Sequence, residues 1–149
     1  MTTRPIEILF VDDDPIDVRL TTEQLAKSKL HNRVAWAKDG IEALAYLRQE
    51  GEYAGVSRPD LILLDLNMPR MDGYQFLTEV KSDQELSSIP IVVLTTSDEE
   101  ADILQSYRLH ANAFVTKPVG LTEMGKVVGA IEGFWLEVVR LPLDRRPER

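Results

Sequence analysis

The sequence predicts an α/β protein built on a doubly wound, five-stranded parallel sheet. Five short apolar runs alternate with five longer amphipathic ones along 149 residues, the order of β-α units joined by right-handed crossovers with helices on both faces. The third run, LILLDL from Leu61 to Leu66, is apolar up to its aspartate, as suits a central strand covered on both sides. Polar residues gather where the runs end: Asp12, Asp13 and Asp14 after the first, Asp65 in the third, Thr95 and Thr96 closing the fourth, Lys117 after the fifth.

The elements follow in order. IEILFV (Ile6 to Val11) is the first strand, and Pro15 starts a helix that runs to about Lys29 with Val18 and Leu25 on one face; a proline at the first helical position loses no hydrogen bond. RVAWA (Arg33 to Ala37) is the second strand, and the next helix carries Ile41, Leu44, Ala45 and Arg48 at helical spacing. Gly51 to Pro59 is the longest loop, Leu61 to Leu66 the third strand, and Asn67 to Gly73 a turn before a helix from Tyr74 to Ser82. Ile89 to Thr96 is the fourth strand, Asp98 to Leu109 a helix, Ala113 to Thr116 the fifth strand, and Leu121 to Val139 a long closing helix. There is no internal repeat or interdomain linker, so one domain fills residues 1–149, with a core over about residues 6–139 and a tail over 140–149.

Composition narrows the function. A net charge of −8 argues against sequence-independent nucleic-acid binding, which needs a basic face. The absence of cysteine excludes disulfides and thiolate metal sites. No run reaches the ~20 apolar residues of a membrane span, and no signal peptide opens the chain, so the expected location is the cytoplasm.

In an open parallel sheet the C-terminal strand ends share one edge, and ligands bind there. Asp12, Asp13, Asp65, Thr95 and Lys117 would therefore converge. Several carboxylates so close repel unless neutralised. A hard divalent cation with oxygen ligands answers that need, and Lys117 adds a flexible point charge. The set suits phosphoryl transfer to a carboxylate, where the site positions groups and neutralises charge. Asp65, on the central strand, is the natural nucleophile; Asp12 and Asp13 would hold the metal. Asp14, just before Pro15, reads better as a helix cap. His31 and His110 belong to no motif and read as surface or loop residues; Arg140, Arg145, Arg146 and Arg149 read as a solvated basic tail.

The blocks ILFVDDDP, LILLDLNMPRMDG, IPIVVLTTS and AFVTKP, in that order, resemble the signature blocks of the two-component response-regulator receiver domain. The resemblance implies a flavodoxin-like sheet of strand order 2-1-3-4-5 flanked by five helices. It implies that Asp65 is phosphorylated by a partner histidine kinase and that the cofactor is Mg²⁺, or Mn²⁺. Asp13 resembles the direct metal ligand, Asp12 its water-mediated companion, and Asn67 the residue that lends a backbone carbonyl. Thr95 resembles the switch hydroxyl and Lys117 the phosphoryl's ion-pair partner, with a cis peptide expected between Lys117 and Pro118. Phe114 sits at the aromatic switch position, where a tyrosine is familiar; Phe can rotate inward but has no hydroxyl to bond.

Residues after Val139 are too few for a helix-turn-helix module, so a stand-alone receiver acting through protein contacts is expected, without nucleic acid or membrane. Leu121, Met124, Val128, Ile131, Trp135 and Val138 form one apolar stripe on the closing helix, widened by Val127 and Phe134. One stripe packs on the sheet; the surplus, with Leu121, Val128, Phe134 and Trp135, points to a protein interface. QEGEYAGVSRPDLILLDLNMP and GIEGFWLEVVRLP resemble the small regulators of cyanobacterial and bacterial phytochromes, which implies a homodimer and a phytochrome-class kinase as donor. Two other readings compete. Asp12-x-Asp14 also resembles the start of a haloacid-dehalogenase-type phosphatase with Asp12 as nucleophile, which leaves Asp65 without a job. A receiver-like binding module that is never phosphorylated would leave the whole residue set without a job.

Overall fold

The computed structural model describes residues 5–27, 32–68, 71–96, 99–117, 121–131 and 133–134, and in the last helix the side chains only of residues 123, 126, 127 and 129–131. The elements are β1 (Ile6–Val11), α1 (Pro15–Ala26), β2 (Asn32–Ala37), α2 (Gly40–Leu47), a 3-10 turn (Gly51–Tyr53), β3 (Leu61–Leu64), α3 (Gly73–Ser82), β4 (Ile91–Thr95), α4 (Glu100–Arg108), β5 (Ala113–Thr116) and α5 (Leu121–Ile131). All four strand pairings are parallel, and the order is β2-β1-β3-β4-β5.

Period-two alternation sends neighbouring strand residues to opposite faces, and each face has its own core. Leu9, Val11, Ile62, Leu64, Ile91 and Val93 pack against Leu44 and Leu47 of α2 and Phe76, Leu77 and Val80 of α3. Ile8, Phe10, Leu61, Leu63, Val92 and Leu94 pack against Val18 and Leu25 of α1 and Val127 and Ile131 of α5. The three inner strands are apolar on both faces because helices cover both.

Local chemistry sets the helix starts. Asp14 caps α1, accepting from the Ile16 N–H at 2.9 Å with Pro15 following in the first turn. Asp39 caps α2, accepting from Glu42 N–H at 2.8 Å. Asp72 and Gln75 form a reciprocal capping box on α3. Asp14 is thus the cap that the sequence implied.

Several boundaries move. β4 starts at Ile91 because Pro90 has no N–H to give the ladder; its carbonyl still accepts from Ile62 N–H at 2.9 Å. β3 stops at Leu64, and Leu66 is buried in the turn beyond it. On α2 the buried side is Gly40, Ala43, Leu44 and Leu47; Ile41, expected on the apolar face, is 46% exposed. Val127, read as widening the apolar stripe, packs on the sheet with Ile131. Residues 133 and 134 form a π turn past α5, and Phe134 is 53% exposed. Trp135, the side chains of Leu121 and Val128, His31, Pro118 and hence the expected cis bond lie outside the described residues. His110 is an exposed residue in a left-handed turn, φ 74°. No helix among the described residues is long and apolar enough to cross a membrane.

Candidate functional site

Three of the expected site residues share one backbone device. Each lies one residue past a strand, with its own N–H still bonded to the neighbouring strand: Asp12 to the Ala37 carbonyl at 3.0 Å, Asp65 to that of Val11 at 2.9 Å, and Lys117 to that of Thr95 at 2.5 Å. The backbone is therefore held as in a strand while the side chain stands at the C-terminal edge.

The side chains meet there. Lys117 Nζ donates to Asp12 Oδ2 at 2.5 Å and to Asp17 Oδ2 at 2.8 Å, and lies 3.6 Å from Asp65 Oδ2. Carboxylate oxygens of Asp12, Asp13 and Asp65 lie within 4.8 Å of one another. Asp12, Asp65 and Lys117 are buried, and Asp13 faces solvent. Two backbone N–H groups orient the acids: Asp14 N–H donates to Asp12 Oδ1 at 2.8 Å, and Asn67 N–H to Asp65 Oδ1 at 3.3 Å. Thr95 closes β4 with its side chain fully buried and its Oγ1 without a hydrogen-bond partner among the described residues, a costly state unless some acceptor is meant for it. Phe114, on β5 opposite Val93, is partly buried on the α2–α3 core face.

Electrostatics match the geometry. Burial pushes the Asp12 carboxyl up to about 6, outweighing the hydrogen bond and charge of Lys117, which pull it down. Burial also works against the Lys117 charge, but the hydrogen bonds it donates to Asp12 and Asp17, with the charges of Asp12 and Asp65, win and its pKa rises. One ammonium therefore faces four carboxylates, those of residues 12, 13, 17 and 65, among the described residues. The donors are hard oxygens, and the carboxylates outnumber the one ammonium beside them. The set fits a hard divalent cation of the Mg²⁺ or Mn²⁺ kind.

Two participants escaped the sequence reading. Asp17 lies in the first turn of α1, and only the fold brings it to Lys117. Trp36, on the edge strand β2, is 45% exposed and donates its indole N–H to the Asp12 carbonyl at 2.6 Å. Neither contact leaves a mark in local sequence.

Gly73 explains why the turn after Asp65 can close. A Cβ there would sit 2.6 Å from both the Asp65 carbonyl oxygen and Leu66 Cα, backbone atoms that no rotamer change can move. Gly73→Ala is expected to cost about 1–3 kcal/mol and to displace Asp65. Urea unfolding checks the first effect; a wild-type midpoint would contradict the close approach.

Comparison with known proteins agrees with this geometry. The response regulator receiver domain family matches residues 8–129. Response regulator Rcp1 of Synechocystis is 47% identical over 138 residues, covering 93% of this chain and 94% of that protein. The crystal structure of the phosphorylated cyanobacterial phytochrome response regulator RcpA superposes with a TM-score of 0.90 at 51% identity, covering 93% of this chain and 99% of that one. The Mn²⁺-bound form of Rcp1 superposes with a TM-score of 0.89 at 47% identity, with the same coverage. The phosphatase alternative built on Asp12 finds no support in these matches. By family, by sheet order and by the acids gathered at the sheet edge, this chain belongs to the response regulator receiver domains.

Proposed function

We infer that the chain is a phosphoacceptor rather than an enzyme, taking a phosphoryl group on Asp65 from a sensor histidine kinase. The observation that carries the reading is the meeting of Asp12, Asp13 and Asp65 within 4.8 Å, with Lys117 reaching into the same group. In the transfer, an Asp65 Oδ lone pair forms a P–O bond while the P–N bond of the phosphohistidine breaks, its pair returning to the imidazole. Asp12, Asp13 and Asp65, with the backbone carbonyl of Asn67, would hold Mg²⁺ or Mn²⁺. Bound there, the cation neutralises phosphoryl oxygens as charge shifts. Lys117 pairs with another phosphoryl oxygen, and the buried Thr95 hydroxyl gains its missing acceptor there. Thr95 and Phe114 then bias the surface formed by α4, β5 and α5.

The donor is a phytochrome-class kinase, as the likeness to Rcp1 and RcpA supports. The regulator is a homodimer joined through the apolar surplus of the closing segment, with Trp135, Phe134, Val128 and Leu121 in the contact; the exposure of Phe134 favours this. One domain spans the chain and works in the cytoplasm through protein contacts.

Wild type and Asp65→Asn incubated with acetyl phosphate and Mg²⁺ test the reading by intact mass. Wild type is expected to gain one phosphoryl group and Asp65→Asn none. Equal labelling of both would remove Asp65 as the acceptor.

A further inference from the structure

We propose that Asp17, in the first turn of α1, is a positioning residue that holds the Lys117 ammonium off Asp65 and ready for the incoming phosphoryl group. The proposal rests on the reading of Asp65 as acceptor.

An ammonium carries three N–H donors and no acceptor. Lys117 spends two of them at hydrogen-bond length, on Asp12 at 2.5 Å and Asp17 at 2.8 Å. Asp65 stands 3.6 Å away, an ion-pair distance too long for a hydrogen bond. The lysine is thus drawn toward α1 and away from the nucleophile. Released from α1, it would settle on Asp65 at about 2.7–2.9 Å, the usual length of such a charged pair. The Asp65 lone pairs that must attack phosphorus would then be engaged. Held off at 3.6 Å, the ammonium leaves them free, yet stays near enough to meet an oxygen of a phosphoryl group carried on Asp65.

Asp12 alone cannot provide this restraint. Its carboxylate belongs to the three-acid cluster that fits a cation, so its oxygens serve two partners. Asp17 is outside that cluster, and its side chain is only 23% exposed. Its bond to Lys117 spans 100 positions of sequence and ties α1 to the end of β5. The transfer itself moves no proton through either residue: the Asp65 pair forms the new P–O bond, and the breaking bond's pair leaves with the donor.

Labelling rates with acetyl phosphate and Mg²⁺ test the proposal in wild type, Asp17→Ala and Asp17→Glu, and in Lys117→Met with and without Asp17→Ala. Alanine is the strongest helix former, so α1 is not put at risk. Asp17→Ala is expected to label about five-fold more slowly, the scale of one weakened charged hydrogen bond. Asp17→Glu, which restores a carboxylate, should recover most of the rate. In the Lys117→Met background Asp17→Ala should change the rate by less than about two-fold, because its effect runs through the lysine. A wild-type rate in Asp17→Ala, or the same loss with and without Lys117, would overturn the proposal while wild type still labels on Asp65. A wild type that does not label on Asp65 would overturn the acceptor reading and the proposal with it.

Discussion

Lys117→Met is expected to slow phosphorylation by acetyl phosphate about 100-fold or more, the usual loss when a preorganised charge at a reacting oxygen is removed. The side chain is buried, and its ammonium is the one cation beside Asp12, Asp17 and Asp65 among the described residues. Methionine keeps much of the apolar stem and its packing, so the change is chiefly the loss of charge. Two effects then combine. Nothing draws a phosphoryl oxygen toward the β5 side of the site, and the four carboxylates face an anionic donor without the ammonium's charge. Lys117→Arg should not restore the rate, because a planar fork cannot take the place of a compact ammonium between two carboxylates. Stopped-time intact-mass measurements at fixed Mg²⁺ give the rates; a loss under about three-fold would show that the lysine is structural only.

A second large effect is expected with pH. Asp12 has its pKa raised from 3.8 to about 6 by burial. The folded protein therefore keeps a proton on Asp12 that the unfolded chain has already released, and stability falls as pH rises from about 4 to about 6. Above that window the metal-free protein carries the full penalty of a buried carboxylate, on the order of 3 kcal/mol. Asp12→Asn, which cannot ionise, should be more stable than wild type by about that amount at about pH 8 in chelator, and nearly equal to it at about pH 4. The same proton must leave for a cation to bind. Mg²⁺ affinity measured by calorimetry should therefore weaken below about pH 6, approaching ten-fold per unit. An affinity flat from about pH 5 to 8 would mean that Asp12 is already ionised in the folded protein.

Much of this was legible in the sequence because the relevant physics is local. The apolar run of β3 announces a central strand. Asp14-Pro15 writes a helix start. The residues one step past β1, β3 and β5 fall on one edge by topology alone, so Asp12, Asp65 and Lys117 could be brought together without coordinates. What stayed hidden depends on contact across the fold. Asp17 has the look of a solvated helix residue until β5 delivers Lys117 beside it. Trp36 reads as a strand residue, but β2 lies at the sheet edge, so the ring is half exposed and its N–H reaches back to Asp12. Ile41 fits the helical period and still faces outward, because the buried side of α2 runs through Gly40, Ala43, Leu44 and Leu47, with Gly40 packed close to Met71. Strand ends were overestimated where apolar character outlasts the ladder, at Leu66 and Ile89.

Borohydride reduction of the labelled protein addresses the account most directly, since it converts an aspartyl phosphate to homoserine and so marks the acceptor in the chain. After treatment with acetyl phosphate and Mg²⁺, peptide sequencing by mass spectrometry should find homoserine at position 65 and aspartate at positions 12 and 13. Homoserine at position 12, or at neither place in a protein that has gained a phosphoryl group, would contradict it.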